Sequence, residues 1–396
     1  MDLGPLIQPA DTTILVVLMD GLGGYPEPDR GTELEDARTP NLDALATEGV
    51  SGRCEIVGPG ITPGSGPGHL ALFGYDPHEF ALGRGALSAA GLDVALRAGD
   101  VAARGNLCTL AADGTIADRR AGRIPSDEAA TLVERLQREV TVDGVEVLFA
   151  HEREHRLLVM LRGEGLDPRV ADTDPQRTGV APPPAEAHDP AAARTAAIVD
   201  DVSAQVREVL AGERANGVLL RGFDTHEDLP GLGDRYGLRG VAVAAYPMYR
   251  GISRLLGMHV PAKPDDLAAQ VAQVRAVWDD HDYVFMHVKT TDAAGEDGDR
   301  EAKMAAIEAV DAVMPDLLAL GPDAVMVTGD HATPPQMSGH GWHPVPVVMR
   351  GRHLGTDDVT RVGERPALGG MLGLRPMAHM MPILLASAGR LAKYGA

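Results

Sequence analysis

The chain has 396 residues, a length that suits two domains or three. With 44% hydrophobic and 23% charged residues it reads as a globular protein with a sizeable core, and its formal net charge of −21 argues against nucleic acid and anionic membrane surfaces as general partners. Two cysteines, Cys54 and Cys108, exclude a disulfide framework and a cysteine-rich zinc site, and they fit a reducing, cytoplasmic location.

The first predicted element is a strand over residues 13–19, a continuous apolar run of the kind a parallel sheet buries on both faces; it ends at Asp20 and the loop Gly21-Leu22-Gly23-Gly24. Thr39-Pro40-Asn41 predicts a helix start with Thr39 as cap, an apolar stripe of Leu42, Leu45 and Ala46, and a stop at Gly49. From about residue 81 to 227 the strands are short and mixed with polar turns, and a helix is expected near 189–212 after Pro182-Pro183-Pro184. The strand–helix grammar then returns. Runs at 283–288, 324–328 and 344–349 predict strands, and a helix is expected from Ala302 to Leu320. Alternating strands and helices imply a mostly parallel sheet with helices on both faces. The middle stretch reads as an inserted, smaller α+β domain, so the expected division is 1–80, 81–227 and 228–396. No run of 18 apolar residues and no basic N-terminal start appear, so neither a transmembrane helix nor a signal peptide is expected.

In an open α/β sheet, ligands collect at the carboxyl ends of strands. Asp20, Asp292, Asp330, His331 and His340 all lie next to predicted strands, and carboxylate plus imidazole is a donor set for divalent cations. In Thr62-Pro63-Gly64-Ser65-Gly66-Pro67-Gly68-His69, three glycines surround a serine expected on an exposed, rigid loop. A hydroxyl is a poor nucleophile unless a base or a metal activates it, and no serine–histidine–aspartate elbow is evident, so metal activation is the expected route. His69 reads as structural. Asp118-Arg119-Arg120-Ala121-Gly122-Arg123 packs three guanidinium groups into six residues, and Arg156, Arg162 and Arg221 lie near other strand-like runs. Arginine matches phosphate and carboxylate oxygens with paired hydrogen bonds. On these residues alone, a phosphomonoesterase and a mutase of small phosphate esters are both open.

The motifs together resemble the archaeal type of cofactor-independent phosphoglycerate mutase, in the alkaline phosphatase superfamily. The stretches that carry the resemblance include Met19 to Gly24, Thr39 to Asp43, Ile61 to Pro77, Gly83-Arg84-Gly85, Asp118 to Arg123, His287-Val288-Lys289 and Thr328 to Pro346, in family order along almost the whole chain. The resemblance implies an alkaline-phosphatase-like α/β core, a transiently phosphorylated Ser65 and two divalent metal ions, with Mn2+ or Mg2+ favoured over Zn2+ or Co2+ and no requirement for bisphosphoglycerate. It implies Asp20, Ser65, Asp330 and His331 around one metal, and Asp292, Glu296 and His340 around the other. Glu296 stands where the family usually has histidine, and Gly66-Pro67-Gly68 replaces the usual Asp-Thr-Ala after the serine. Arg250, in place of the family's usual lysine, is expected to neutralise the phosphoryl group. Asp118 is expected to act as acid and base, and Arg119, Arg156 and Arg221 to hold the substrate carboxylate. The implied partner is a small phosphoglycerate, and the oligomeric state is open.

Overall fold

The computed structural model describes residues 3–80, 82–92, 94–225 and 229–395. The chain divides into two compact units, one of Met1–Ala81 with Pro230–Ala396 and the other of Leu82–Leu229. The boundary positions expected at residues 81, 227 and 228 lie outside the described residues. In chain order the strands are β1 (Ile14–Met19), β2 (Val50–Glu55), β3 (Val101–Leu110), β4 (Ile116–Asp118), β5 (Glu146–Arg153), β6 (Arg156–Arg162), β7 (Gly217–Asp224), β8 (Gly240–Ala244), β9 (Tyr283–Val288), β10 (Ala324–Thr328), β11 (Val345–Gly351) and β12 (Gly373–Pro376).

The first unit is built on a seven-stranded sheet in the order β12-β2-β11-β10-β1-β9-β8. Strand β1 is central and runs parallel to both neighbours, with Ile14 opposite Tyr283 and Ala324. β8 is parallel to β9, whereas β11 is antiparallel to β10 and β2. Every residue of β1, β9 and β10 is buried, as an apolar run covered on both faces requires. On one face Leu15, Val17, Met19, Val284, Met286 and Val325 pack against Leu42 and Leu45 of the helix Pro40–Thr47 and against Ile307, Val310, Met314 and Leu317 of the helix Arg300–Leu318. On the other, Phe285 meets Phe73, just past the helix Ser65–Leu72, edge to face at 4.9 Å. The mostly parallel α/β sheet with helices on both faces is therefore present.

The predicted Thr39 cap is replaced by a tertiary one. Thr39 occupies the N-cap position without a side-chain cap bond, and the amides of Asn41 and Leu42 instead donate to Asp311 Oδ1 at 3.0 and 2.8 Å. Pro315 lies inside the same helix as Asp311 and lacks an N–H, which frees the Asp311 carbonyl. Asn41 Nδ2 takes that acceptor at 3.0 Å.

The loop after β1 is tied down from behind. Buried Glu364 accepts from the Gly24 amide at 2.8 Å and from Thr32 Oγ1 at 2.5 Å. Burial outweighs these hydrogen bonds and pushes its carboxyl up to about 7 from 4.5. The folded state therefore holds a proton that the unfolded state has released between those values, and stability should fall as pH rises across that window. The expected loss is about 3 kcal/mol by pH 8. Thermal unfolding of the parent and of Glu364→Gln at pH 5 and pH 8 checks this. The parent should lose ground to the variant at the higher pH, and a constant difference would contradict the assignment.

The second unit is antiparallel throughout: a β4-β3-β6-β5 sheet in which β3 also pairs with β7. The helices Ser126–Glu139 and Ala193–Val209 bury Leu132, Leu136, Val202 and Val206 against Leu107, Phe149, Leu157 and Val218 on one face. The helix Arg84–Gly91 lies on the other face with Ala86 and Ala89 against Ala102, Leu158 and Met160. Gly85 permits this approach, since a Cβ there would sit 1.9 Å from the Ala102 carbonyl oxygen.

Candidate active site

Because β1, β9 and β10 are parallel, the residues that follow them emerge at one edge of the sheet. Two groups of potential ligand atoms form there: Asp20, Asp330 and His331, all fully buried, and Asp292, His331 and His340. His331 Nε2 lies 3.2 Å from Asp20 Oδ1 and 3.4 Å from Asp330 Oδ2. His340 Nε2 lies 3.9 Å from both Asp292 Oδ1 and Glu296 Oε1. The two imidazoles stack with ring centroids 3.7 Å apart.

The surrounding hydrogen bonds fix the orientation of both imidazoles. His340 Nδ1 meets the Pro63 carbonyl at 2.9 Å, and a carbonyl only accepts, so the proton is on Nδ1. Thr333 Oγ1 donates to Asp292 Oδ1 at 2.6 Å, so at 2.9 Å it accepts from His331 Nδ1. Both rings therefore present Nε2 to the carboxylates, the usual arrangement of a second partner fixing a ligating histidine. Asp20 Oδ1, Asp330 Oδ2 and His331 Nε2 are buried without a hydrogen-bond partner. Three orphaned ligand atoms converging from two loops fit a divalent cation in both donor chemistry and placement. Burial opposes ionisation of Asp20, but His287 and His331 outweigh it and hold the carboxyl well below its ordinary value. His287 Nε2 donates to Asp20 Oδ2 at 3.1 Å. Asp330 is lowered too, by His331 and His69 against burial. In return the carboxylates Asp330, Asp20 and Asp292 overcome burial and push His331 up to about 9.

Ser65 does not sit on a loop as expected; it is the first residue of the helix Ser65–Leu72. A helix start concentrates unpaired amides and positive dipole where an anion would sit, which suits a phosphoryl acceptor better than an open loop does. Gly68 lets this helix lie directly on Asp330, whose carbonyl oxygen would be 2.7 Å from a Cβ at that position. His69, read as structural, is buried; it places Nδ1 3.1 Å from the Ser65 carbonyl and 3.2 Å from Asp330 Oδ2, and it stacks on Tyr249 at 4.0 Å. With the His340–Pro63 bond, these contacts anchor the serine's helix to both ligand groups.

Arg250 is buried and donates to the carbonyls of Ala244 and Pro261 at 3.0 and 2.8 Å; it makes no ion pair among the described residues. The cation that touches the ligand groups is Lys289. Its Nζ is 3.1 Å from Asp20 Oδ2, contacts Asp292 Oδ2, and lies 5.1 Å from the centre of the Tyr246 ring. Lys289 stands at the end of a predicted strand, three residues before Asp292. That spacing is the local signal that could have singled it out.

In the second unit, Arg119 grips buried Asp174 with two parallel bonds of 2.9 and 2.6 Å, and Arg221 Nε lies 3.6 Å from Asp172 and 3.9 Å from Asp174. Arg162, in contrast, is absorbed by Asp100. Asp118 closes its own turn by accepting from the Arg120 and Gly122 amides, both at 2.8 Å, and the next three residues, Ala121 to Arg123, all take positive φ. His155 is pushed down to about 4, first by burial and then by Arg156, with Arg120 and Arg104 adding to it. Arg119 and Arg221 thus share Asp174, and Arg104 lies opposite Arg221 across the β3–β7 pair.

The profile of the 2,3-bisphosphoglycerate-independent phosphoglycerate mutases matches residues 46–216. A Thermus thermophilus relative named "probable 2,3-bisphosphoglycerate-independent phosphoglycerate mutase" is 48% identical over 406 residues, with all of both chains covered. The chain belongs to this family. A Deinococcus radiodurans relative of the same name is 47% identical across 99% of this chain and 98% of its own. Among solved structures, the cofactor-independent phosphoglycerate mutase of Thermoplasma acidophilum matches with a TM-score of 0.76 at 27% identity, over 96% of this chain and all of that one. A Pyrococcus horikoshii protein matches with a TM-score of 0.82, also at 27% identity, over 97% and 99% of the two chains.

In this mutase Glu296 is half exposed, beside His340. If Glu296 is a ligand, Glu296→His exchanges a hard, charged oxygen for a neutral nitrogen. The expected result is a shift of metal preference away from manganese and magnesium towards zinc and cobalt. Activity of both proteins with each metal at matched occupancy checks it, and an unchanged rank order would count against Glu296 as a ligand.

Proposed function

We propose that the enzyme interconverts 3-phosphoglycerate and 2-phosphoglycerate through a phosphoserine at Ser65. The observation that carries this reading is the convergence of orphaned Asp20, Asp330 and His331 atoms on a site to which the helix start bearing Ser65 is anchored. Asp20, Asp330, His331 and Ser65 would hold one divalent cation, and Asp292, Glu296 and His340 a second. Such cations neutralise phosphoryl oxygens and lower the pKa of a hydroxyl. Manganese or magnesium is the preferred pair for this carboxylate-rich set.

Ser65 Oγ attacks phosphorus in line. The Oγ–P bond forms as the bond to the glycerate oxygen breaks, and the proton lost by the Ser65 hydroxyl passes to that oxygen. The other glycerate hydroxyl then attacks the phosphoserine, loses its proton and releases Ser65. Lys289 neutralises charge beside Asp20 and Asp292, with Arg250 as the second candidate cation. Arg119, Arg156 and Arg221 are the candidate residues for the glycerate carboxylate, and Asp118 is the candidate acid and base.

Protein stripped of metal and assayed for 2-phosphoglycerate with enolase as the coupling enzyme tests this. Turnover should vanish on chelation, return with manganese or magnesium, and be indifferent to bisphosphoglycerate. Activity that survives chelation but requires bisphosphoglycerate would sink the reading.

A further inference from the structure

We propose that Lys303 is the positioning residue of both ligand groups: its ammonium locks together the loops that present Asp20, Asp330 and His331, and through Thr333 it fixes Asp292. The inference rests on the metal-dependent reading above. Lys303 is fully enclosed, on the first turn of the helix Arg300–Leu318, in register with the apolar stripe of Ile307, Val310, Met314 and Leu317. A core-filling role would need no charge there, and an enclosed ammonium is costly unless each proton finds an acceptor.

All three do. Lys303 Nζ donates to the carbonyls of Gly21, Gly23 and Thr333 at 2.8, 3.2 and 2.9 Å. The nearest carboxylate, Glu33, is 3.9 Å away, so the ammonium serves backbone and not a close ion pair.

Those carbonyls belong to the loops that follow β1 and β10. Gly21 and Gly23 follow Asp20, and Thr333 follows Asp330 and His331. The Thr333 amide donates to the same Gly21 and Gly23 carbonyls, at 3.2 and 3.0 Å, so the loops are stitched twice. The Gly21 amide then donates to Asp330 Oδ1 at 3.2 Å. The Thr333 hydroxyl holds Asp292 and His331 as described. One buried charge thus orients ligands from three strand ends without touching any of them, and its sign offsets the mutual repulsion of the three aspartates.

The test uses the full chain and manganese alone, titrated by calorimetry, with thermal unfolding run in parallel. Lys303→Met keeps the volume and removes charge and donors. It should bind manganese at least about 10-fold more weakly than the parent. A purely structural role would lower the unfolding temperature but leave the affinity of the folded protein unchanged, and that result overturns the inference. Should Lys303→Met not fold, Thr333→Val cuts the same relay one bond later while sparing the ammonium's contacts. It should weaken manganese binding in the same direction, and parent-like affinity there overturns the relay. A parent that binds no manganese overturns the metal reading itself and this inference with it.

Discussion

Ser65→Ala should lower mutase turnover by about 10^4-fold or more, with the fold intact. The change removes the proposed nucleophile, and loss of a nucleophile that acts in covalent transfer costs rates of this order. Stability should hardly move, because the preceding Gly64 occupies the N-cap position and no side-chain cap bond is made at that end of the helix. Alanine at the first helical position costs only a few tenths of a kcal/mol. Two measurements decide the matter. The enolase-coupled rate should collapse, and intact-mass analysis after incubation with phosphoglycerate should find a phosphoryl adduct on the parent that the variant lacks. A variant with turnover within tenfold of the parent would remove Ser65 from the mechanism.

Gly21→Ala should disable the same site by a different route. Gly21 has φ of +65°, and a Cβ built there would lie 2.6 Å from Thr333 Oγ1 and 2.7 Å from Asp292 Oδ1. A left-handed alanine costs about 1 kcal/mol, and the overlap about 1–3 kcal/mol more. The atoms in the way are the ones that orient Asp292 and His331, so the strain falls on the ligands. The expected outcome is a manganese affinity about 100-fold weaker, together with a lower unfolding temperature. Calorimetric titration checks it, and a variant that binds manganese like the parent would show that the loop has room to relax.

The contrast between the two positions shows where local pattern carries information. β1, β9 and β10 were legible because a strand buried on both faces must be apolar along its whole length, and a polar residue at its end marks where the chain leaves the core. Asp20, Asp292, Asp330 and His331 could be named for that reason, and their meeting at one edge follows from parallel order. The start of the helix at Pro40 was legible too, since proline suits the first turn. Its cap was not. Asp311 lies 270 positions from Asn41, and no local spacing links them.

The amino-acid sequence by itself determined the family and the α/β class, and it singled out the aspartates, histidines and serine proposed for the site, because these depend on residue type and short spacing. Tertiary structure decided how they are held. Lys289 and Lys303 have the same side chain, yet one contacts the aspartates and the other lies beneath them bound to carbonyls. Arg250, read as a phosphate-facing cation, is engaged by the Ala244 and Pro261 carbonyls. Ser65, read as a loop residue, begins a helix that Gly68 lets lie against Asp330. For Lys303 and Ser65 the partners lie far along the chain, for Arg250 they lie 6 and 11 residues away, and in all of them the direction of a long polar side chain is set by which buried acceptors the fold leaves unpaired.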